Sequence, residues 1–377
     1  MNQETKADPG LHVPAWQDRL GGLVETRPRL WLGLGDWESR LLRERLEAVR
    51  IERPLYVTGL ARSGSTILLE LLARHPAVAT HRYRDFPVLA APWAWNWFVD
   101  RAGGKDGGPA RERAHQDGIA VTAESPEAFE EPLWSAFFPQ AHDPQQTSVL
   151  RAGDENPDFE AFYRDHLRKL LLLRGGERYL AKGNYNITRL GYLLRLFPDA
   201  RFVVPIRAPL WHIASLMKQH RLFCAEEERN PRVLRHMRRS GHFEFGLDRR
   251  PINTGDPRVA EVSALWDAGH EVEGWAHYWS LIYDHLAERL EEEPDLRAAT
   301  LVLRYEDLCA DPAGTMGRIL EHCGLSPEDL PAQAAERIQH PSYYRPDFTP
   351  GEAATIERLT ADTAARFGSR DTESRIG

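Results

Sequence analysis

Eight residues constrain this chain more than any others: GLARSGST, Gly59 to Thr66, set between an apolar run from Pro54 to Thr58 and a helical pattern from Thr66 to Arg74. The run before the loop is short and rich in β-branched and aromatic side chains, as in a strand buried on both faces. His75-Pro76 stops the helix, because a residue before proline is pushed out of the helical region. A small-residue turn between such a strand and helix gathers successive backbone N–H groups at a helix N-terminus, where they can cradle an anion.

The rest of the chain repeats the strand-and-helix theme. Ile187 to Phe197 reads as a helix, ARFVVPIR (Ala200 to Arg207) as a strand, and Pro209 to about Gln219 as a helix with proline at its first position. TLVLRY (Thr300 to Tyr305) is a further strand, followed by a helix ending near Cys323-Gly324. Strands alternating with helices predict an α/β fold, a parallel sheet covered by helices on both faces. Asp36 is expected to cap a helix running to about Val49, with residues 1–36 as an arm before it. The organisation expected is an N-terminal arm and helix over 1–50 and one α/β domain over 51–377. Insertions at about 84–160 and 220–270 read as helical lids.

Composition narrows the function classes. The 377 residues carry 48 Lys+Arg against 56 Asp+Glu, a net charge of −8, which argues against a nucleic-acid binder. Cys224, Cys309 and Cys323 show neither CxxC nor metal-ligand spacing, and suit a reducing compartment. The polar start, MNQETKADPG, has no apolar signal region, and the stretch from Phe86 to Val99 is too short and proline-broken to span a bilayer. The expectation is a soluble, cytoplasmic protein without a membrane span, its oligomeric state open.

The loop nearly matches the Walker A pattern GxxxxGK[ST], but Ser65 stands where the lysine belongs, and the nearest cation is Arg62. Without that lysine, and with no clear strand ending in a magnesium-binding Asp, an NTPase loses the charge that stabilises the migrating phosphoryl group. The loop instead resembles the 5′-phosphosulfate loop of sulfotransferases that use 3′-phosphoadenosine-5′-phosphosulfate (PAPS). It is most similar to the bacterial and protein-tyrosine branch with Arg-Ser-Gly-Thr-Thr, here Arg62-Ser63-Gly64-Ser65-Thr66. FVVPIRAPLWHIASL resembles the family's second motif, a strand ending in Arg and a helix with Ser eight positions later, giving Arg207 and Ser215. YLAKGN places Lys182 at a strand end, 25 residues before Arg207, although the family's usual Asp-Pro after the lysine is Gly183-Asn184 here. LVLRYEDLCADP (Leu301 to Pro312) resembles a late family stretch and reads as a fold signature. The resemblance covers about 53–82, 178–220 and 298–325. It implies a P-loop-type parallel β-sheet flanked by helices, with PAPS as donor, PAP as product and no metal. In the family, the loop and Arg62 hold the 5′ side, Arg207 and Ser215 the 3′-phosphate, and Lys182 the transferring group.

Transfer also needs a base for the acceptor. In the branches that the loop resembles, a carboxylate or histidine lies shortly after the first helix, past its His-Pro, and here THRYRDFP offers Asp85 as the nearest carboxylate and His81 as the nearest imidazole. Asp85 is the first choice, with an ion pair to Arg82 or Arg84 as its bland alternative. Glu130 and Glu131, in SPEAFEEPLW, compete, although Ser125 with these acids also fits a capped helix start. His115 and Asp117 are weaker candidates. Seven arginines between Arg229 and Arg250 read as a solvated helix with mixed ion pairs, or else as a lid over an anion. Trp93, Trp95 and Trp97, and Trp266, Trp275 and Trp279, suit packing more than acceptor stacking. The stripe Val272, Trp275, Trp279, Ile282, Leu286 reads as core.

The expectation is a PAPS-dependent sulfotransferase acting on a hydroxyl, with an amine as second choice, of a small molecule or saccharide. The rivals are a nucleotide-dependent small-molecule kinase and a non-catalytic nucleotide-binding protein.

Overall fold

The computed structural model describes residues 13–102, 111–112, 120–338 and 346–368. His115 and Asp117 lie outside the described residues. Strands β1 (Leu55–Val57), β2 (Val78–Ala79), β5 (Arg178–Lys182), β6 (Arg201–Ile206) and β7 (Thr300–Arg304) form one five-stranded sheet in the order β2-β5-β1-β6-β7. Every pairing in it is parallel. β3 (Arg111–Glu112) and β4 (Ala120–Val121) make a separate antiparallel pair.

Alternate strand residues enter two different cores. Tyr56, Tyr179, Ala181, Phe202 and Val204 join one cluster with side chains from the helices Pro157–Arg174 and Glu271–Glu292. Leu55, Val57, Leu180, Val203 and Leu303 join another with the helices Ser65–Leu72 and Pro312–Cys323. A strand covered on both faces has to be apolar at every position, which is why β1 and β6 read as unbroken apolar runs rather than alternating ones. The stripe on Glu271–Glu292 is core as expected, with Trp279, Ile282 and Leu286 fully buried.

Three local expectations need correction. Asp36 lies inside a helix, Pro28–Leu41, and a second helix, Arg43–Glu47, follows it; proline at the first position starts the helix earlier than Asp36. The preceding segment is also helical, over Ala15–Thr26. Ser125 caps no helix: its hydroxyl accepts the Thr122 amide, and the helix runs over Glu131–Phe137 with Pro132 in its first turn. The helix from Pro209 continues to Arg229, beyond Gln219. No helix among the described residues is long and apolar enough to cross a membrane.

Candidate functional site

The carboxyl ends of β1, β5, β6 and β7 lie side by side, and the candidate residues gather there, the edge where open parallel sheets take ligands. The loop leaves β1 through Thr58, whose hydroxyl donates to the Gly183 carbonyl at 2.7 Å and ties β1 to the end of β5. Gly59, Arg62 and Gly64 all have positive φ, at 135°, 69° and 100°. Gly64 has to be glycine on two counts. Its backbone is left-handed, and a Cβ there would stand 2.5 Å from the ring of Tyr305. The Ser63 hydroxyl is buried without a hydrogen-bond partner among the described residues, which is the condition of a loop built to meet a ligand oxygen.

Arg62 does not stand apart from the second motif. Its Nε donates to the Ser215 hydroxyl at 3.3 Å, across 153 positions of sequence. Arg207, the first residue past β6, is nearly buried and lies with its guanidinium 5.1 Å from the centre of the Tyr305 ring. Tyr305, just past β7, thus touches both Gly64 and Arg207. The stretch read as a fold signature therefore reaches the site. Glu306 accepts the Ala208 amide at 2.9 Å, fixing the turn between β6 and the helix that carries Ser215.

Lys182 ends β5, in register with Val57 of β1. Beside it stand two residues that sequence reasoning missed, His242 and Glu244. The His242 Nδ1 is 3.4 Å from a Glu244 carboxylate oxygen, and the other oxygen accepts from the Asn184 side chain at 2.6 Å. Burial works against a charged Glu244, but the imidazole of His242, the charge of Lys182 and the Asn184 bond outweigh it and hold the carboxyl at about 2. Burial likewise opposes an imidazolium at His242, yet Glu244 and then Glu127 raise it above the usual histidine value. Both side chains keep partial solvent access. A partly open imidazole oriented by a carboxylate, next to a lysine, can take a proton from an incoming hydroxyl.

The bases expected from sequence are placed otherwise. Asp85 is fully buried, bonded to Arg174 at 2.5 Å, to Asn96 at 2.8 Å and to the Arg82 backbone amide at 2.8 Å. Its ion-pair partner is Arg174, not the side chain of Arg82 or Arg84. Burial alone would raise its pKa, but His81, Arg174 and Asn96 together pull it far below the carboxylate range. His81 is buried with its Nε2 3.0 Å from that of His166. Glu131 receives two bonds from Arg189, at 2.8 and 2.7 Å, and one contact from His142 at 2.7 Å. Glu130 binds the hydroxyls of Tyr163 and Tyr179. All four are buried among these neighbours, so none is open to an acceptor as it stands.

The arginine-rich segment is an ion-pair lattice. Arg232, Arg235 and Arg239 converge on Asp18 and so strap the helix Ala15–Thr26 to Pro231–Arg239. Arg238 and Arg250 pair with Asp248, and Arg249 with Glu271. Among the tryptophans, Trp266 and Trp275 stack under Arg249 at 4.0 and 5.2 Å, and Trp95 donates to the Arg84 carbonyl.

The fold is similar to that of a sulfotransferase from Mycobacterium tuberculosis H37Rv, with a TM-score of 0.50 at 17% identity over 88% of this chain and 81% of that one. It is as similar to a sulfotransferase from Mycobacterium avium, with a TM-score of 0.50 at 15% identity over 88% and 82% of the two chains. No curated protein matches the sequence. The model of the Sulfotransferase family matches residues 54–241 and 257–329, which take in the loop, Lys182, Arg207 and Ser215, and the chain belongs to that family.

Proposed function

We propose that this chain transfers a sulfuryl group from PAPS to a hydroxyl, with an amine as the second choice, on a small-molecule or saccharide acceptor. The observation that carries the reading is the Arg62–Ser215 hydrogen bond, which joins the loop to the strand–helix motif at one place. The donor fits the residues present: a left-handed loop, a buried Ser63 hydroxyl without a partner among the described residues, and the cations Arg62, Lys182 and Arg207 on one sheet edge.

Bound there, PAPS supplies an activated sulfuryl group on a phosphate leaving group. The amides of Ser63 to Thr66 and the Arg62 guanidinium hold the 5′ side and offset the charge that develops on the leaving phosphate oxygen. Arg207 and Ser215 hold the 3′-phosphate. Lys182 would offset charge on the transferring group. The Nε2 of His242 takes the acceptor proton as the new oxygen–sulfur bond forms and the bond from sulfur to the 5′-phosphate breaks, while Glu244 on Nδ1 keeps the imidazole oriented and balances its charge. Little covalent work falls to the protein, so alignment and charge carry the rate.

Two measurements test the proposal. In metal-free buffer PAP raises the melting temperature more than ATP does; a larger rise with ATP and added Mg²⁺ than with PAP favours a kinase. With ³⁵S-labelled PAPS, label passes to a component of a metabolite extract; PAP binding without any transfer favours a non-catalytic nucleotide binder.

A further inference from the structure

The helix Pro209–Arg229 grips the loop twice. Ser215 takes Arg62, and one turn earlier His212 takes the residue before it: the imidazole Nε2 lies 2.8 Å from the Ala61 carbonyl oxygen. On its other side the ring Nδ1 lies 3.1 Å from the Trp279 indole nitrogen. His212 and Trp279 are fully buried, and Tyr283 packs its ring against Trp279 at 4.8 Å.

Chemistry fixes the proton. An indole nitrogen only donates, so Nδ1 has to be the bare, accepting nitrogen; a carbonyl only accepts, so Nε2 has to carry the hydrogen. A second proton would set N–H against N–H at Trp279 and place a cation beside Arg62 and Arg207. Burial first of all, and then these two arginines, push the imidazole down to about 3 against the help of the Ala61 bond. Tyr283 also lies near the ring, at 6.3 Å between ring centres, and burial holds it as a neutral phenol far above the ordinary range. The ring stays neutral across the working range of pH.

The geometry points to His212 as a positioning residue for the donor loop, resting on the donor reading above. A carbonyl turned into an anion site would repel the anion. Because a trans peptide holds its C=O and N–H antiparallel, anchoring the Ala61 carbonyl on His212 turns the Arg62 N–H to the opposite side of the loop. The same anchor stabilises the left-handed φ of 69° at Arg62, a conformation that a non-glycine residue keeps only when its surroundings impose it. The loop is thereby set before the donor arrives.

Calorimetric titration with PAP tests this on the parent, His212→Phe and His212→Gln, with steady-state kinetics beside it. His212→Phe loses about tenfold in PAP affinity, a loss of about 1.4 kcal/mol, and raises the donor KM while the acceptor KM holds. His212→Gln, whose amide N–H reaches the same carbonyl, recovers most of the loss, which a purely space-filling role would not allow. A folded His212→Phe that binds PAP as tightly as the parent overturns the inference, as does a Gln variant no better than Phe. Should His212→Phe fail to fold, ¹⁵N NMR of the parent decides: a single bare Nδ1 and protonated Nε2 at this histidine from about pH 5 to about pH 8 supports the anchor, and any other form overturns it. Absence of PAP binding by the parent itself sinks the donor reading instead, which distinguishes the two failures.

Discussion

The Nδ1 of His242 faces the Glu244 carboxylate across 3.4 Å, and Lys182 acts by charge on both. A carboxylate held ionised at about 2 cannot itself take a proton at neutral pH, so its part is to orient the ring and favour its protonated form. In the proposed reaction, proton abstraction then falls to the imidazole.

The pH profile reads this relationship directly. A base works only when unprotonated, so kcat/KM should climb with pH through the His242 pKa, which Glu244 and Glu127 raise above the histidine norm. Glu244→Gln removes the larger attraction, so the imidazolium is less favoured and the acidic limb moves to lower pH, while kcat falls about 10- to 100-fold. His242→Ala lowers kcat by about 10²- to 10⁴-fold with PAP affinity nearly intact. An acidic limb that stays put in Glu244→Gln removes His242 from the base role.

Asp85 and Glu131 should behave as structural carboxylates. Glu131→Gln leaves Arg189 buried without its charge partner, and Asp85→Asn does the same to Arg174, each costing about 3–5 kcal/mol of stability. Thermal unfolding measures the loss. At a temperature where the variants remain folded, turnover per folded molecule should match the parent; a kcat that collapses with stability intact would return either residue to the acceptor site.

What the sequence made legible was local, and what it hid was long-range. The loop, β6 and the Arg207–Ser215 spacing are each encoded within a dozen or so residues, by turn chemistry and hydrophobic pattern. Asp85 looked available because Arg174 lies 89 positions away, and Glu131 because Arg189 lies 58 away. Nearness in sequence to a motif says nothing of such closures. His242 and Glu244 carried no signal either. They sit just past the helix Pro231–Arg239, in the gap at 242–256 that the family model leaves unmatched. Tyr305 was hidden for another reason: its part is a ring face offered to Gly64 and Arg207, which no spacing rule encodes.

Gly64→Ala should damage the loop through two separable effects. Left-handed backbone costs a non-glycine residue about 1–3 kcal/mol, and the new methyl meets the Tyr305 ring at 2.5 Å. Gly175→Ala isolates the first effect, since Gly175 also has positive φ, 71°, with nothing within 4 Å of its Cβ position. Both variants lose stability in thermal unfolding, but only Gly64→Ala loses PAP affinity. Equal PAP binding by the two variants would mean that Tyr305 and the loop move independently of the ligand.

Asp18 should tie the N-terminal helix to the helix Pro231–Arg239 in a pH-dependent way. Bonding to Arg235 and then Arg239 holds its carboxyl at about 2, against an ordinary 3.8, with burial working the other way. A carboxylate lowered on folding contributes stability that is complete above its unfolded pKa and lost as pH falls through the folded one. The strap is therefore intact at neutral pH and released between about pH 4 and about pH 2. Because the pairs are partly solvated, with Arg232 and Arg235 nearly half exposed, the contribution is modest, about 1 kcal/mol. Asp18→Asn should speed hydrogen exchange over Ala15–Thr26 at neutral pH while leaving the Glu271–Glu292 helix protected. The difference from the parent should narrow as pH falls below about 4 and the parent loses its own charge. Exchange in this helix that is indifferent to Asp18→Asn at neutral pH would mean that apolar packing, not the arginine cluster, holds the strap.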